Sequence, residues 1–510
     1  MSVGTDLVPP AEFWDSLPGQ LMDQRWFADK HRRPAKVTPA ASFTLKSELP
    51  ALLIVLASVD FGDGEMATYQ LPLGIRQEPA SLQTPGSAIY FPYRDSTRQL
   101  DLAISDATAD PELAAALVRT LLEPGTMAGV PEGELTIRLL EADSDRGTES
   151  TSARALALEQ SNSLVVFGER LLLKLFRRVW PGINPELQLL EALDRVGFEG
   201  IARPWMAVEA SLGGRPYSLG MLQTYLRNGT DGFTMALTSL RDLQADLLPD
   251  ADGELPSSER CEHAVRSQGG SFVAAAREIG RLTSRMHLAL ASPDHTADLA
   301  PTPLTSTTLK VAADRINRHL DLLLSDPDAR LEPLRVHRAG MRKLLLRMAG
   351  ATPDGLAIRI HGDFHLGQLL RTDSGWHVLD FEGRPAISIA ERRALASPLQ
   401  DVAGMLRSFD YAAAVALRQQ AHPDDATART LAPYGRSWAH IMRAEFLGTY
   451  LEGVEGKGLV PSDPITVSSI LPALEVGQAL YEVDYELRSR PGWLSIPLEG
   501  IARLLHEAEL

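Results

Sequence analysis

Two carboxylates and one amide are spaced in the last third of the chain as a metal-dependent phosphoryl-transfer site would need them. Asp363 is followed five residues later by Gln368 and 17 residues later by Asp380. Gly362 allows a sharp bend beside the first acid, and the Asp-Ser-Gly sequence at 373–375 is typical of a hairpin turn. The pattern therefore predicts a strand, a polar loop, a hairpin and a second polar loop, with both acids at one end of the hairpin.

Phosphoryl transfer needs little covalent help from a protein, because positioning of the hydroxyl and neutralisation of phosphate charge carry most of the catalysis. In this interpretation Asp363 accepts the proton of the attacking hydroxyl, Gln368 offers an oxygen to Mg²⁺, and Asp380 links the metal to the phosphates. The motifs read H-G-D-x-H-x-x-x-Q and D-F-E-G, and protein kinases have the same five-residue spacing and a D-F-G triplet. Either acid alone would be equally typical of a turn. The combination favours phosphoryl transfer.

The composition restricts the class of partner. With 510 residues the chain is long enough for two or three domains. Its formal net charge of −16 disfavours nucleic acid or an anionic membrane as a partner, because both are polyanions. The single cysteine, Cys261, excludes a disulfide framework and favours a reducing compartment. The N-terminal sequence lacks an export signal, so we predict a cytoplasmic protein whose oligomeric state the sequence leaves open.

Residues 1–105 are predicted to form a separate, β-rich module. A short amphipathic helix is expected at 11–27, followed by alternating or apolar runs with turn signals between them. These runs predict strands near 42–45, 51–59, 67–73, 87–93 and 99–104. We interpret the sequence Arg25-Trp26-Phe27 as a core aromatic pair beneath the helix rather than as a ligand site.

The next segment is expected to alternate between helix and strand. Asp110-Pro111-Glu112 is typical of a helix start, and this helix is predicted to end near Glu123. A strand is expected at 135–139, followed by an exposed polar loop at 141–152. The runs 164–167 and 171–176 then predict a tight hairpin.

Lys174 lies in the middle of the second hairpin strand, among four leucines. A buried charge in such a run is costly unless it is paired or faces a ligand. A kinase nucleotide-binding lysine has this setting, whereas an edge lysine extending to solvent is the alternative. The polar corner before the hairpin comprises Gln160, Ser161, Asn162 and Ser163. Its small side chains and backbone N–H groups are predicted to lie over phosphates.

A helix is expected after Asn184-Pro185, and Glu186, Gln188 or Glu191 on it should pair with Lys174. A strand at 217–222 leads into a candidate hinge, where the backbone of Met221 to Gln223 would read the adenine edge. After residue 227 the pattern becomes mostly helical. Helices are expected near 232–248, 270–290, 305–324, 332–349 and 401–411, with a long polar loop at 249–270.

A polar and aromatic cluster stands near the C-terminus. It comprises Tyr481, Glu482, Asp484, Tyr485 and Glu486. Aromatic faces beside carboxylates are typical of a sugar site, since rings stack on the sugar and carboxylates accept from its hydroxyls. A solvated helix face with one buried tyrosine is the alternative, and spacing alone favours it.

Taken together, HGDFHLGQLL, LDFEG, VVFGERLLLKLFRR, NPEL and the C-terminal YEVDYELRSRPGWLSIPLEGI resemble the actinobacterial maltokinases. That family belongs to the eukaryotic-like kinase superfamily, with the aminoglycoside phosphotransferases. The resemblance implies an α+β, bilobal kinase fold with ATP in the cleft. It divides the chain into an N-terminal cap (1–105), whose RWFA sequence resembles the family's cap signature, a small lobe with the ATP-binding strands (106–226) and a helical C lobe (227–510). It implies that Asp363 is the base, that Gln368 and Asp380 bind Mg²⁺, and that Lys174 binds the ATP phosphates.

Three departures from the family pattern are notable, and the last two of them bear on the substrate. Arg384 stands where the family's E-G-E-P has its second acid, Gln478 replaces a lysine, and Asp484 replaces an arginine. The loss of two cations beside a sugar site favours a positively charged acceptor, because an ammonium near a carboxylate gains a few kcal/mol at ε of roughly 20. The substrate residues predicted with these are His365, Glu382 and Tyr481.

The sequence therefore predicts an amino-sugar kinase that makes glucosamine 6-phosphate. Two alternatives stay open at this stage. One is a maltokinase that makes maltose 1-phosphate. The other is a kinase-fold binding protein without catalysis, although such proteins usually lose the lysine or a metal-binding acid and this chain retains them.

Overall fold

The computed structural model describes residues 8–77, 89–140, 152–156, 161–247, 256–268, 270–385, 387–420 and 426–508. These ranges leave out Gln160 of the predicted polar corner. They also leave out the predicted polar loop at 141–152, except for its last residue. The described chain forms two compact units. The first is Met1–Glu191 with Ala202–Arg227, and the second is Ala192–Ile201 with Asn228–Leu510.

The first unit begins with one helix and a six-stranded antiparallel sheet. The path of this sheet is β1-β2-β3-β5-β4, and β11 pairs with β3. The elements are α1 (Ala11–Asp23), β1 (Lys36–Lys46), β2 (Ala51–Asp60), β3 (Met66–Gln77), β4 (Tyr90–Asp95), β5 (Leu100–Asp106) and β11 (Arg178–Val179). The rings of Trp26 and Phe27 pack at 6.1 and 4.9 Å from that of Tyr69 in the buried core. The core interpretation of this aromatic pair is confirmed.

A second sheet of seven strands completes the first unit, in the order β6-β7-β12-β13-β10-β9-β8. Its strands are β6 (Gly125–Ala128), β7 (Glu134–Leu139), β8 (Ala153–Leu156), β9 (Asn162–Phe167), β10 (Leu171–Phe176), β12 (Pro204–Leu212) and β13 (Arg215–Thr224). Helices α2 (Pro111–Leu121) and α3 (Pro185–Arg195) begin at the predicted Pro positions. Asp110 caps α2 by accepting from the backbone N–H groups of Glu112 and Leu113.

The second unit is mostly helical. Its longer helices are α4 (Gly232–Leu247), α5 (Ser258–Gln268), α6 (Gly270–Leu290), α7 (Ser306–Ser325), α9 (Arg338–Ala349), α11 (Leu399–Gln420), α12 (Ala426–Val454), α13 (Pro464–Ser489) and α14 (Ser495–Glu507). Short helices α8 (Glu332–Val336) and α10 (Ile389–Arg392) lie between them. The predicted polar loop at 249–270 is wrong over Ser258–Gln268, which is helical.

A small sheet carries the two polar loops of the second unit. Strands β14 (Thr230–Asp231), β17 (Leu369–Thr372) and β18 (Gly375–Val378) form it in that order, and the predicted hairpin is thereby confirmed. The strand that the sequence predicts before the first polar loop, at 358–360, lies slightly earlier in the structure. Strand β16 (Leu356–Ala357) pairs with β15 (Thr302–Pro303), and Ile358 forms an isolated bridge with Ala396. Among the described residues, no helix has the length and apolarity needed to cross a bilayer.

Candidate active site

The first polar loop of the second unit is anchored by a buried carboxylate at the start of α11. Oδ2 of Asp401 accepts the backbone N–H of His361 at 2.8 Å, and Oδ1 accepts that of Gly362 at 2.9 Å. His287 on α6 adds a contact from Nε2 to Oδ2 at 3.1 Å. Burial alone would raise the pKa of Asp401, but the His287 contact and the Gly362 N–H outweigh it and hold that pKa below its usual value. This carboxylate fixes the backbone that leads into Asp363.

The His361 ring connects the first polar loop to the second. Its Nε2–H donates to the carbonyl of Leu379 at 2.8 Å, and its Nδ1 accepts the backbone N–H of Asp363 at 3.3 Å. The ring also packs between Phe364 and Phe381, with centroid distances of 5.3 and 4.8 Å. One side chain therefore holds the backbone of Asp363 and that of Leu379, the residue before Asp380.

Asp363, the predicted base, is partly exposed and lies beside Arg384. Nε of Arg384 lies 3.7 Å from Oδ1 of Asp363. The same guanidinium donates to Oε1 of Gln478 and lies 4.8 Å from the ring centroid of Tyr481. The structure therefore brings together the predicted base and two of the predicted substrate residues around one cation.

Gln368 and Asp380, the predicted metal ligands, are also brought together. Nε2 of Gln368 lies 3.3 Å from Oδ2 of Asp380, and the backbone N–H of Leu379 donates to the carbonyl of Gln368 at 2.9 Å. Asp380 has φ of +60°, a conformation that non-glycine residues adopt rarely and that often marks functional positions. Amide and carboxylate oxygens are the ligands that Mg²⁺ prefers. The side chains present therefore fit this metal.

His365 and Glu382 occupy the same two loops. Nδ1 of His365 accepts the backbone N–H of Gly367 at 3.0 Å and so closes the turn that positions Gln368. Burial of the ring lowers the pKa of His365, which keeps the imidazole neutral and suited to accepting that hydrogen bond. Glu382 is partly buried. The substrate contacts predicted for His365 and Glu382 stay predictions.

Helix α13 divides the predicted sugar cluster into two groups. Glu482 pairs with Arg407 at 2.7 Å, and Glu486 accepts from the hydroxyl of Tyr411 at 2.5 Å. Both carboxylates thereby have structural partners. Asp484, by contrast, pairs with the exposed Arg488 four residues later on the same helix, at 2.9 Å.

In the first unit, Lys174 forms a buried ion pair with Glu186. The two atoms, Nζ and Oε2, are 2.8 Å apart, and each residue is about 2–3% exposed. The alternative partner, Glu191, is engaged by Arg138 of β7 at 2.8 Å. Lys174 is therefore paired in the interior of the sheet and is not an edge lysine extending to solvent.

The described part of the polar corner lies at the start of β9. Ser161 is exposed, whereas Asn162 and Ser163 are already within the strand. The hydroxyl of Ser163 accepts from Nε of Arg177 at 2.7 Å. Arg177 is fully buried, donates to Asp106 at 2.6 Å, and stacks 4.4 Å from the ring centroid of Trp26. The strand predicted to contact phosphates is thus tied to the N-terminal sheet.

Met221 and Gln223, the predicted hinge residues, lie within β13. Met221 pairs with Lys174 on one side and with Ala207 on the other, so the sheet engages its backbone polar groups. This corrects the expectation that Met221 reads the adenine edge. Gln223 lies one residue before the strand ends, and its buried Oε1 has no hydrogen-bond partner among the described residues. Gln223 stays a candidate nucleotide contact.

A double-mutant cycle should show coupling between Lys174 and Glu186. Lys174→Met leaves the Glu186 carboxylate buried without its ammonium, and Lys174→Met/Glu186→Leu removes that penalty. We expect a coupling energy of about 1–3 kcal/mol in urea unfolding. Lys36→Met, the same change at an exposed position of β1, should be near neutral. Additive effects of the two substitutions would contradict the buried pair.

Four important residues were not identified as site residues from the sequence. Asp401 was placed only at the start of the predicted helix 401–411, without a role, and His287 and Arg177 were not singled out. Arg384 was noted only as a departure from the family pattern. The signal available for Arg177 was a charged residue directly after an apolar strand, which resembles the setting of Lys174.

Comparison with known proteins supports the predicted resemblance. Residues 21–120 match the family model of the maltokinase N-terminal cap domain. The chain is 28% identical to a glucosamine kinase of Streptacidiphilus jiangxiensis, over 70% of this chain and 74% of that one. It is 26% identical to a glucosamine kinase of Mycolicibacterium smegmatis, over 75% and 85%.

The fold is also shared with a solved structure. A glucosamine kinase in complex with glucosamine, ADP and inorganic phosphate superposes with a TM-score of 0.64 and 24% identity. The match covers 98% of this chain and all of that one. The α+β kinase fold and the resemblance to the maltokinase-like family, on the side of its glucosamine kinases, are confirmed.

Proposed function

We propose that this maltokinase-like protein is an ATP-dependent sugar kinase that transfers the γ-phosphoryl group of ATP to a hydroxyl of glucosamine, giving glucosamine 6-phosphate. The observation that carries the proposal is the cluster in the second unit. There Arg384 of the second polar loop contacts Asp363 of the first polar loop and both Gln478 and Tyr481 of α13. The turn that follows Asp363 brings Gln368 to Asp380.

Asp363 would act as the base. Its carboxylate would accept the proton of the sugar hydroxyl as that oxygen attacks the γ-phosphorus in line. The anchored backbone at His361 and Gly362 holds the carboxylate in place, so little reorganisation is needed during transfer. Gln368 and Asp380 would hold Mg²⁺, which when bound neutralises phosphate charge.

The first unit would supply the nucleotide contacts. The buried pair with Glu186 orients the Lys174 ammonium, which is the group that kinases use on ATP phosphates. Ser161, Asn162 and Ser163 stay candidate phosphate contacts at the start of β9. Gln223 stays a candidate base contact.

Glucosamine is proposed over maltose on two grounds. Two curated relatives that match 70% and 75% of the chain are glucosamine kinases. In addition, Asp484 provides a carboxylate on the face of α13 that also carries Gln478 and Tyr481, where an ammonium would be stabilised. The cap domain is named for maltokinases, so phosphorylation of maltose is the second candidate.

The test is ADP release with MgATP and glucosamine, glucose or maltose as acceptor. We expect the highest kcat/KM for glucosamine, and a loss of about 100-fold for this sugar alone in Asp484→Arg, since a charge reversal removes a few kcal/mol of attraction. Glu452→Arg, the same reversal at an exposed position of α12, is the matched control.

Each other outcome contradicts part of the proposal. An equal loss of kcat/KM for glucosamine and for glucose in Asp484→Arg would show that Asp484 does not bind the amino group. Preference for maltose would replace glucosamine with the second candidate. No ADP release with any acceptor, from folded protein that still binds ATP, would favour a binding protein without catalysis.

A further inference from the structure

A cavity in the second unit extends away from the predicted base. One part, of about 390 Å³, reaches Gly362 and Gly383 in the two polar loops. The adjoining part, of about 290 Å³, reaches Gln478, Tyr481 and Asp484. The residues common to both include Arg315, Arg318, Arg384, Ile387, Glu391 and Leu474. The combined space is larger than one monosaccharide needs.

Among the described residues, this wall carries more arginine than carboxylate side chains, because Arg315, Arg318 and Arg384 line both parts of the cavity together with Glu391. Among them, neither Arg315 nor Arg318 on α7 forms an ion pair, and Arg315 reaches only Oε1 of Gln400 at 3.4 Å. Arg384 differs from these two, because its Nε lies 3.7 Å from Oδ1 of Asp363, although this Nε makes no hydrogen bond within the described ranges.

Two carboxylates, Glu391 and Asp484, also line this wall, and each has a contact outside the three arginines. Glu391 accepts from the backbone N–H and the hydroxyl of Ser388, at 3.1 and 2.8 Å. Asp484 pairs with Arg488. The wall is therefore basic although the whole chain has a net charge of −16.

Such a wall suits an oxyanion. A guanidinium that is partly removed from water, as that of Arg315 is, is costly unless it is hydrogen-bonded, and a phosphate group would accept several of its N–H groups in the paired geometry that arginine favours. Burial first, and then repulsion from Arg384, lower the pKa of Arg315, whereas attraction to Glu391 opposes this shift without reversing it. A dianion between these side chains would relieve that repulsion.

We propose that this cavity binds a small sugar phosphate, with its phosphate group on Arg315 and Arg318 and its sugar ring towards Gln478 and Tyr481. The identity of the sugar rests on the proposed function, whereas the anion site rests on the arginines alone. Because the ring would occupy the acceptor residues, such a ligand would compete with the acceptor. The enzyme would then be inhibited by its own product or by a related sugar phosphate.

Calorimetric titration of the full chain without nucleotide tests the proposal, with inorganic phosphate, glucosamine 6-phosphate and glucosamine as probes. In Arg315→Gln/Arg318→Gln we expect the Kd of both phosphates to rise at least about tenfold, which is the loss of roughly one charge-assisted hydrogen bond. The Kd of glucosamine should not change. Lys310→Gln removes the same charge from an exposed position of α7 outside the cavity and should change none of the three.

Arg315→Lys serves as a second variant, because it keeps the charge and should retain part of the affinity if the double variant is unstable. Phosphate affinity that is unchanged in the double variant would overturn the proposal, as would an equal loss in Lys310→Gln. If glucosamine 6-phosphate binds no more tightly than inorganic phosphate, the sugar part of the proposal is wrong and the site takes free phosphate.

The outcomes also separate this inference from the proposed function. Phosphate binding that depends on Arg315, in a protein that phosphorylates no sugar, would contradict only the proposed function. If the protein phosphorylates a sugar but binds phosphate equally well without Arg315 and Arg318, only the proposed anion site would be contradicted.

Discussion

Asp363→Asn is expected to lower kcat for sugar phosphorylation by about 10²–10⁴-fold, which is the range for loss of a general base. The amide is nearly isosteric but cannot take the proton of the attacking hydroxyl. Affinity for ATP should be retained, because the predicted nucleotide residues belong to the first unit. The measurement is ADP release under saturating MgATP, together with a direct binding titration of ATP.

The control for this variant lies on the same hairpin. Asp373 is exposed in the turn between β17 and β18, and Asp373→Asn makes the same chemical change away from the polar loops. It should keep full activity. An Asp363→Asn protein with unaltered kcat would show that another group takes the proton and would refute the assigned base.

Asp401→Asn is expected to have the second large effect, on both stability and turnover. The wild-type carboxylate accepts two backbone N–H groups and contacts His287, whereas an amide presents an NH₂ group to one of these donors. Breaking a buried charged contact of this kind costs about 3–5 kcal/mol of unfolding free energy. The loop that carries Asp363 should also shift, and a misplacement near 1 Å costs about 100-fold in kcat.

The pH dependence of stability distinguishes this carboxylate from an ordinary packing residue. Since its folded-state pKa lies below the unfolded value, Asp401 stabilises the fold at neutral pH, and this stability is lost as the pH falls through the lowered pKa. The difference in unfolding free energy between wild type and Asp401→Asn should therefore shrink in acid. A difference that stays constant with pH, or a normal kcat in the folded variant, would contradict the anchoring role.

The local chemistry of the loops was predictable because their residues are close in sequence. Five residues separate Asp363 from Gln368, and the Asp-Ser-Gly turn determines the hairpin that brings Asp380 back to them. The sheet hairpin around Lys174 was predictable for the same reason, since short apolar strands with a tight turn admit one pairing.

Long-range partners were not predictable from spacing. Asp401 lies 40 residues after His361, and His287 lies 114 residues before Asp401, so only the packing of α6 and α11 brings them together. The choice of Glu186 over Glu191 as the partner of Lys174 was open for a related reason. Both acids lie on α3. In the structure Glu191 forms an ion pair with Arg138 of β7, and Glu186 forms the ion pair with Lys174.

Helix α5 was missed because its sequence has little apolar periodicity. Between Ser258 and Gln268 the buried residues are Cys261, Ala264 and Val265, a single i, i+3, i+4 set in an otherwise polar stretch. Such a helix is stabilised by packing on its neighbours rather than by a strong pattern of its own. The hinge was predicted too early in the chain, because β13 continues to Thr224, two residues beyond the strand end that the sequence indicated.

The most direct test of the central claim is identification of the product formed by the full chain from MgATP and glucosamine. The account predicts that each ADP released is matched by one glucosamine 6-phosphate, detected by mass spectrometry and located by phosphorus NMR, and that Asp363→Asn forms almost none. ADP released without a phosphorylated sugar, or product formed equally by Asp363→Asn, would contradict the claim that these residues transfer phosphate to a sugar hydroxyl.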